Sequence, residues 1–148
     1  MEKRVPIYYE GLITPSENTI FVFGSNPYGI HGAGSAAVAV KSFGAVYGCG
    51  EGLQGQAYAL PTKDISVLKN NGLRSISPEQ ITENIKKMYE VAKSNPHLLF
   101  KVAYTNKPTE YTLNGYNGGE MIAMFKAAGE IPDNVIFSKV WVDEWNNF

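Results

Sequence analysis

The sequence predicts an α/β domain, a mainly parallel sheet with helices on both faces. Three observations predict it. Short apolar runs recur as IFVFG (residues 20–24), QAYALPT (56–62) and LLFKVAYT (98–105), and unbroken apolarity is the mark of strands covered on both sides. Helical patterns alternate with these runs, which calls for crossover connections and parallel pairing. Two glycine-rich segments, GSNPYGIHGAG (24–34) and NGYNGG (114–119), each follow a strand and open a helix.

Each element has its own local reason. VPIYY (5–9) reads as a first strand, placed at an edge by Pro6. The run 20–24 is an interior strand, and SAAVAVKSF (35–43) is a short helix closed by Gly44. Residues 56–62 form a second interior strand ending at Pro61, and 64–75 make a surface excursion. The strongest helix signal begins at Ser77, an N-cap followed by Pro78 at N1 and by Gln80 at N3 to complete a capping box. Ile81, Ile85, Met88 and Ala92 then recur at helical spacing, and Asn95-Pro96 ends the helix near Ser94. A strand over 98–105, a helix over 119–128 and a last strand over 134–142 complete one domain spanning 1–148. No linker, repeat or low-complexity segment interrupts it.

The chain has 148 residues, 44% of them hydrophobic and 18% charged, which is the balance of a globular domain with a real core. A formal net charge of -1 argues against a broad nonspecific nucleic-acid face. It leaves room for a small phosphate-bearing ligand, because backbone N–H groups bind phosphate without lysines. The single cysteine, Cys49, rules out an internal disulfide and argues against a structural zinc site; no metal and no cofactor is expected. No secretory leader or membrane-length apolar run is visible, and the expected setting is cytoplasmic, in a bacterium or a phage-infected one.

In open α/β sheets ligands sit beyond the carboxyl ends of the strands. Glycine there permits close backbone approach, and the N–H groups of the following helix face an anion. Two such loops at equivalent places favour a phosphate ligand over simple turns. No GxxxxGK[ST] motif occurs, so a P-loop nucleotidase is unsupported. GEGLQG (50–55) matches GxGxxG but precedes a strand, the wrong context for a dinucleotide fingerprint.

Taken in order, GLIT (11–14), FGSN (23–26), HGAGSAA (31–37), AYALPTK (57–63) and NGYNGGEMIAMF (114–125) resemble the macro domains, the ADP-ribose-binding family. GAG…KSFGAVYG and LPTK most resemble the branch containing the terminal ADP-ribose glycohydrolase. The resemblance implies a three-layer α/β/α fold with ADP-ribose, or an ADP-ribosylated macromolecule, across the strand ends. It places Gly24, Ser25, Asn26 and His31 at the first strand end, with Asn26 toward the distal ribose. Gly32, Ala33 and Gly34 lie by the proximal ribose and diphosphate, and Asn114, Gly115, Tyr116, Asn117 and Gly118 close over the phosphates. Lys63 matches that branch's nucleophilic lysine. Two positions depart: Leu12 stands where the family has an adenine-binding aspartate, and Asn114 stands where the glycohydrolase branch has an assisting aspartate. An amide cannot transfer protons as that aspartate would.

Beside a hydrolase acting on an ADP-ribosyl linkage through Lys63 and Asn26, three other readings stand. One is a binding-only nucleotide sensor. Another is a hydrolase pairing Cys49 with His31, against the commoner role of such a cysteine as small filler. The last is an interaction protein whose glycines only make turns. Asp64, adjacent to Lys63, could replace the missing carboxylate, although neighbours on an extended chain point opposite ways. Glu51 is read as a solvated loop charge, His97 as structural, and Phe125 and Trp141 as core.

Overall fold

The computed structural model describes residues 5–148. Its centre is a strand covered on both faces, β2 (Thr19–Ser25), and the side chains of that strand divide by parity. Phe21 and Phe23 face one cluster with Ala36, Ala39, Phe43, Ala57 and Ala59. Ile20 and Val22 face the other, with Tyr58, Leu60, Ile81, Ile85, Met88, Met121 and Phe125. Successive residues of a strand point to opposite faces, so a continuous apolar run serves both cores at once.

Six strands form the sheet, in the order β1-β6-β5-β2-β4-β3. They are β1 (Tyr8–Tyr9), β2, β3 (Gly52–Gln54), β4 (Ala57–Pro61), β5 (Leu99–Val102) and β6 (Val135–Ser138). All neighbours are parallel except β3 with β4, so the sheet is mixed and mostly parallel. The helices are α1 (Gly34–Phe43), α2 (Pro78–Ser94), α3 (Gly118–Ala127) and the one-turn α4 (Lys139–Val142). Helix α1 covers one face, where Phe43 stacks on Phe21 at 4.4 Å between ring centres. Helices α2 and α3 cover the other. This is the expected α/β architecture, with helices on both sides of the sheet.

Two expectations are corrected in detail, and one strand is added. Residues 134–142 are not one strand: β6 stops at Ser138, whose hydroxyl donates to the Tyr104 carbonyl at 2.7 Å, and the chain turns into α4. The turn buries Trp141 completely and lets its indole N–H reach the Asn106 carbonyl at 2.9 Å. The capping box at Ser77 is only half made. Ser77 accepts from the Gln80 amide, but the Gln80 side chain donates to Asn84 instead of returning to the cap. The segment 50–55, whose GxGxxG match lacked the right context, holds the edge strand β3, whose hairpin to β4 explains the mixed sheet.

Candidate functional site

Strands β5, β2 and β4 run side by side in parallel; β2 and β4 end level at Ser25 and Pro61, and β5 ends at Val102, opposite Val22. Beyond their carboxyl ends opens a cleft of about 580 Å³, within the range of small-molecule sites. Its lining comes from each strand end: Gly24 to Asn26 after β2, Thr62 and Lys63 after β4, and Ala103 to Asn106 after β5. Ile30, Gly32, Ala33, Ser35 and Ala36 form one wall, and Tyr111 to Asn114 form the other. Among the described residues no aspartate or glutamate lines this cleft, and Lys63 is its one cation. By contrast, a hollow of about 540 Å³ between α2 and α3 is bordered by Glu79, Glu83 and Glu120. For an anionic ligand the electrostatics choose the first.

The first glycine loop presents an open helix end. The N-cap of α1 is Ala33, extended at φ -151 and ψ 164, with no side-chain oxygen to offer. The first amides of a helix have no intrahelical acceptor, and they carry the positive end of its dipole. Gly32 stands in open space, where an added Cβ would meet nothing within 4 Å. Gly34 has a positive φ of +59 that glycine takes without strain, and Leu113 lies over it from the opposite wall.

The second loop is organised differently. Gly115, Tyr116, Asn117 and Gly118 lie outside the cleft lining, and only Asn114 of that predicted group faces it. Asn117 caps α3 by accepting from the Glu120 amide at 2.8 Å, and Glu120 accepts from the Asn117 amide at 3.1 Å, a complete capping box. The amides of Gly118 and Gly119 donate to the carbonyls of Glu110 and Pro108. Gly118 is there for close packing: a Cβ would come 2.7 Å from the Lys107 carbonyl. Tyr116 is buried, with its hydroxyl on the Ile76 carbonyl and its ring under the Arg74 guanidinium. Asn114 is also buried, its amide oxygen accepting from the Thr112 hydroxyl and the Tyr116 amide.

The first strand end is equally committed. The Asn26 side chain accepts from the amides of Tyr28 and Ile30 and donates to the Ile30 carbonyl at 2.9 Å, so it shapes its own loop. Ser25 donates to the Gly50 carbonyl at 2.5 Å. His31 is buried outside the cleft lining. Its Nε2 lies 2.9 Å from the Cys49 carbonyl oxygen, which fixes the proton there, and its Nδ1 has no partner. The Cys49 thiol turns toward the Glu51 carbonyl at 3.6 Å. His31 and Cys49 are thus neighbours, but the imidazole bonds a carbonyl rather than the thiol. Leu12 is almost wholly exposed and outside the cleft lining.

Lys63 lines the cleft half-buried, its stem passing Gly72, with no hydrogen bond or ion pair among the described residues. The Asp64 carboxylate bonds the amide and hydroxyl of Ser66 and does not line the cleft. Sequence reasoning missed Thr62, Tyr104, Thr105, Asn106 and the 111–113 wall. A signal existed for Tyr104: the strand-end rule points to it once β5 is ended at Val102, but running the strand on to Thr105 hid it. Among the described residues no group of three acidic, histidine or cysteine side chains could hold a metal, and no helix is long and apolar enough to cross a membrane.

The fold and cleft define an α/β protein with a cleft at its strand ends that, among the described residues, one lysine and no carboxylate line. Comparison with protein-family models, curated proteins and solved structures returns no match to this chain.

Proposed function

We propose that this chain is a macro-like domain that binds ADP-ribose, or a related nucleotide diphosphate-ribose, in the cleft beyond β5, β2 and β4. One observation carries the reading: the uncapped N-terminus of α1, behind Gly32 and Gly34, opens into a cleft that no described carboxylate lines. A diphosphate is the ligand group such amides complement best. The resemblance of the ordered motifs supplies the rest of the ligand. Of the second loop, the wall 111–114 meets the ligand, while Gly115 to Gly118 hold that wall in place.

Hydrolysis of an ADP-ribosyl bond is a second reading, favoured by the unpaired Lys63 in the cleft. An attacking amine would form an adduct with the opened sugar that borohydride reduction traps. Asn114 offers no proton transfer and its oxygen is already bonded, so turnover is expected to be slow or absent. The cysteine alternative draws less support, because neither His31 nor Cys49 lines the cleft.

Thermal melting tests the binding reading. A ligand that binds only the folded state at a hundredfold excess over Kd stabilises it by about 2.7 kcal/mol. At roughly 2–4 °C per kcal/mol for a domain of this size, ADP-ribose should raise Tm by several degrees, and AMP by less. Folded protein whose Tm does not move at millimolar ADP-ribose would falsify the assignment.

A further inference from the structure

Around the cleft some polar side chains are occupied within the protein and others are available. The oxygens of Asn26 and Asn114 each accept two bonds within the protein. Ser25 is tied to Gly50. The floor is different. The hydroxyls of Tyr104 and Thr62 share one long contact of 3.5 Å, at the limit of a hydrogen bond, and Lys63 beside them has no partner among the described residues. These three groups come from the ends of two strands that flank β2, and all of them line the cleft.

The floor is also built around the phenol. A Cβ at Gly24 would come 2.5 Å from the Tyr104 oxygen, so a glycine at the end of β2 lets that hydroxyl stand over the strand end. The ring is held from behind by Trp141, stacked at 5.3 Å with 8° between the planes, and Trp141 is itself completely buried. The phenol is thus fixed by stacking, given room by a glycine and left with one weak contact within the protein.

We propose that Tyr104, with Thr62 and Lys63, forms a sugar subsite that reads the hydroxyls of the terminal ribose beyond the diphosphate, making Tyr104 a specificity-determining residue. The inference rests on the cleft being the ADP-ribose site. It assigns to the floor the sugar contact that the sequence places on Asn26, whose side chain is committed to its loop. Two hydroxyls and an ammonium are the donors and acceptors that suit a polyhydroxylated ring. Burial raises the phenol's pKa, outweighing the opposing hydrogen bond from Thr62, so it is a protonated donor at neutral pH.

Titration calorimetry of wild type, Tyr104→Phe and Thr62→Val with ADP-ribose and with ADP tests this. ADP keeps the diphosphate and lacks the terminal sugar. Tyr104→Phe keeps the stack on Trp141, so Tm should hold, while ADP-ribose binding weakens about tenfold and ADP binding is unchanged. Thr62→Val should show the same selectivity with a smaller loss. Unchanged ADP-ribose affinity in both variants, or equal losses for both ligands, overturns the subsite and leaves the functional reading standing. Wild type that binds ADP but gains nothing from the terminal sugar overturns the subsite too. Wild type that binds neither ligand overturns both proposals.

Discussion

The two glycine-rich loops of this chain have similar composition and the same place in the topology, yet they treat their helix amides in opposite ways. Before α1 the cap residue is Ala33, which offers the helix nothing, and the neighbouring backbone opens on the cleft. Before α3 the cap is Asn117, its bond is returned by Glu120, and the next two amides are taken by carbonyls of the 107–110 turn. Glycine serves different ends in the two. Gly32 leaves empty volume in the first, while Gly118 lets two backbones touch in the second. A loop with unsatisfied donors has stability to gain from a ligand, and one with all donors satisfied has its stability already. Glycine content alone therefore does not identify a phosphate site; the accounting of the amides does.

The sharpest way to break the contrast is to give the first loop the chemistry of the second. Ala33→Asp places a carboxylate at an N-cap whose backbone is already in the extended region that caps require. The unliganded domain should gain about 1 kcal/mol, a rise in Tm of roughly 2–4 °C. The same carboxylate would occupy the amides and repel a diphosphate, so the ADP-ribose shift should vanish. A variant that is both more stable and still responsive would show that α1 is not the phosphate anchor.

The converse change removes the cap that exists. Asn117→Ala should cost about 1 kcal/mol through the lost cap, read as a lower melting point, with ADP-ribose affinity within about twofold of wild type because Asn117 does not line the cleft. A large affinity loss with intact stability would move the second loop from scaffold to ligand contact.

The smallest expected effect is a pH dependence confined to the second loop. Partial burial pushes the Glu120 pKa up, but the Asn117 amide and the Arg74 guanidinium pull it down further, leaving it below the ordinary carboxylate value. A carboxyl whose folded pKa is depressed contributes stability above its unfolded pKa and loses it as pH falls through the folded value. Amide exchange in the 114–120 segment should therefore quicken as pH drops below about 4.3, the ordinary glutamate value, once corrected for intrinsic rates. Glu120→Gln should remove most of that dependence, and the amides at the start of α1 should show no matching step. A step of equal size in both loops would place its origin elsewhere.

Much of this contrast was legible in the residues. Asn117 and Glu120 stand three apart at the start of an apolar helix, a capping signature visible without coordinates, and Ala33 visibly lacks a capping side chain. The glycines drew both segments into one reading because composition does not report which partner each amide finds. Asn26 and Lys63 were similarly easy to select as polar residues at strand ends. That one would be spent on its own loop and the other left without a partner depended on where the neighbouring backbone turned. Tyr104 was hidden because a tyrosine in an apolar run reads as core.

By itself the sequence determined the architecture. Runs apolar at every position demanded cover on both faces, helical periods between them supplied that cover, and the crossovers made the pairing parallel. It also determined that the ligand would be sought beyond the strand ends. Only the tertiary structure decided which groups there are available, since a hydrogen bond depends on distance and direction between residues far apart in the chain. Gly24 and Tyr104 are eighty positions apart, and the register of β2 against β5 sets the phenol over the strand end. Side-chain type states what a residue can donate or accept, and the packing around it determines what remains for a ligand.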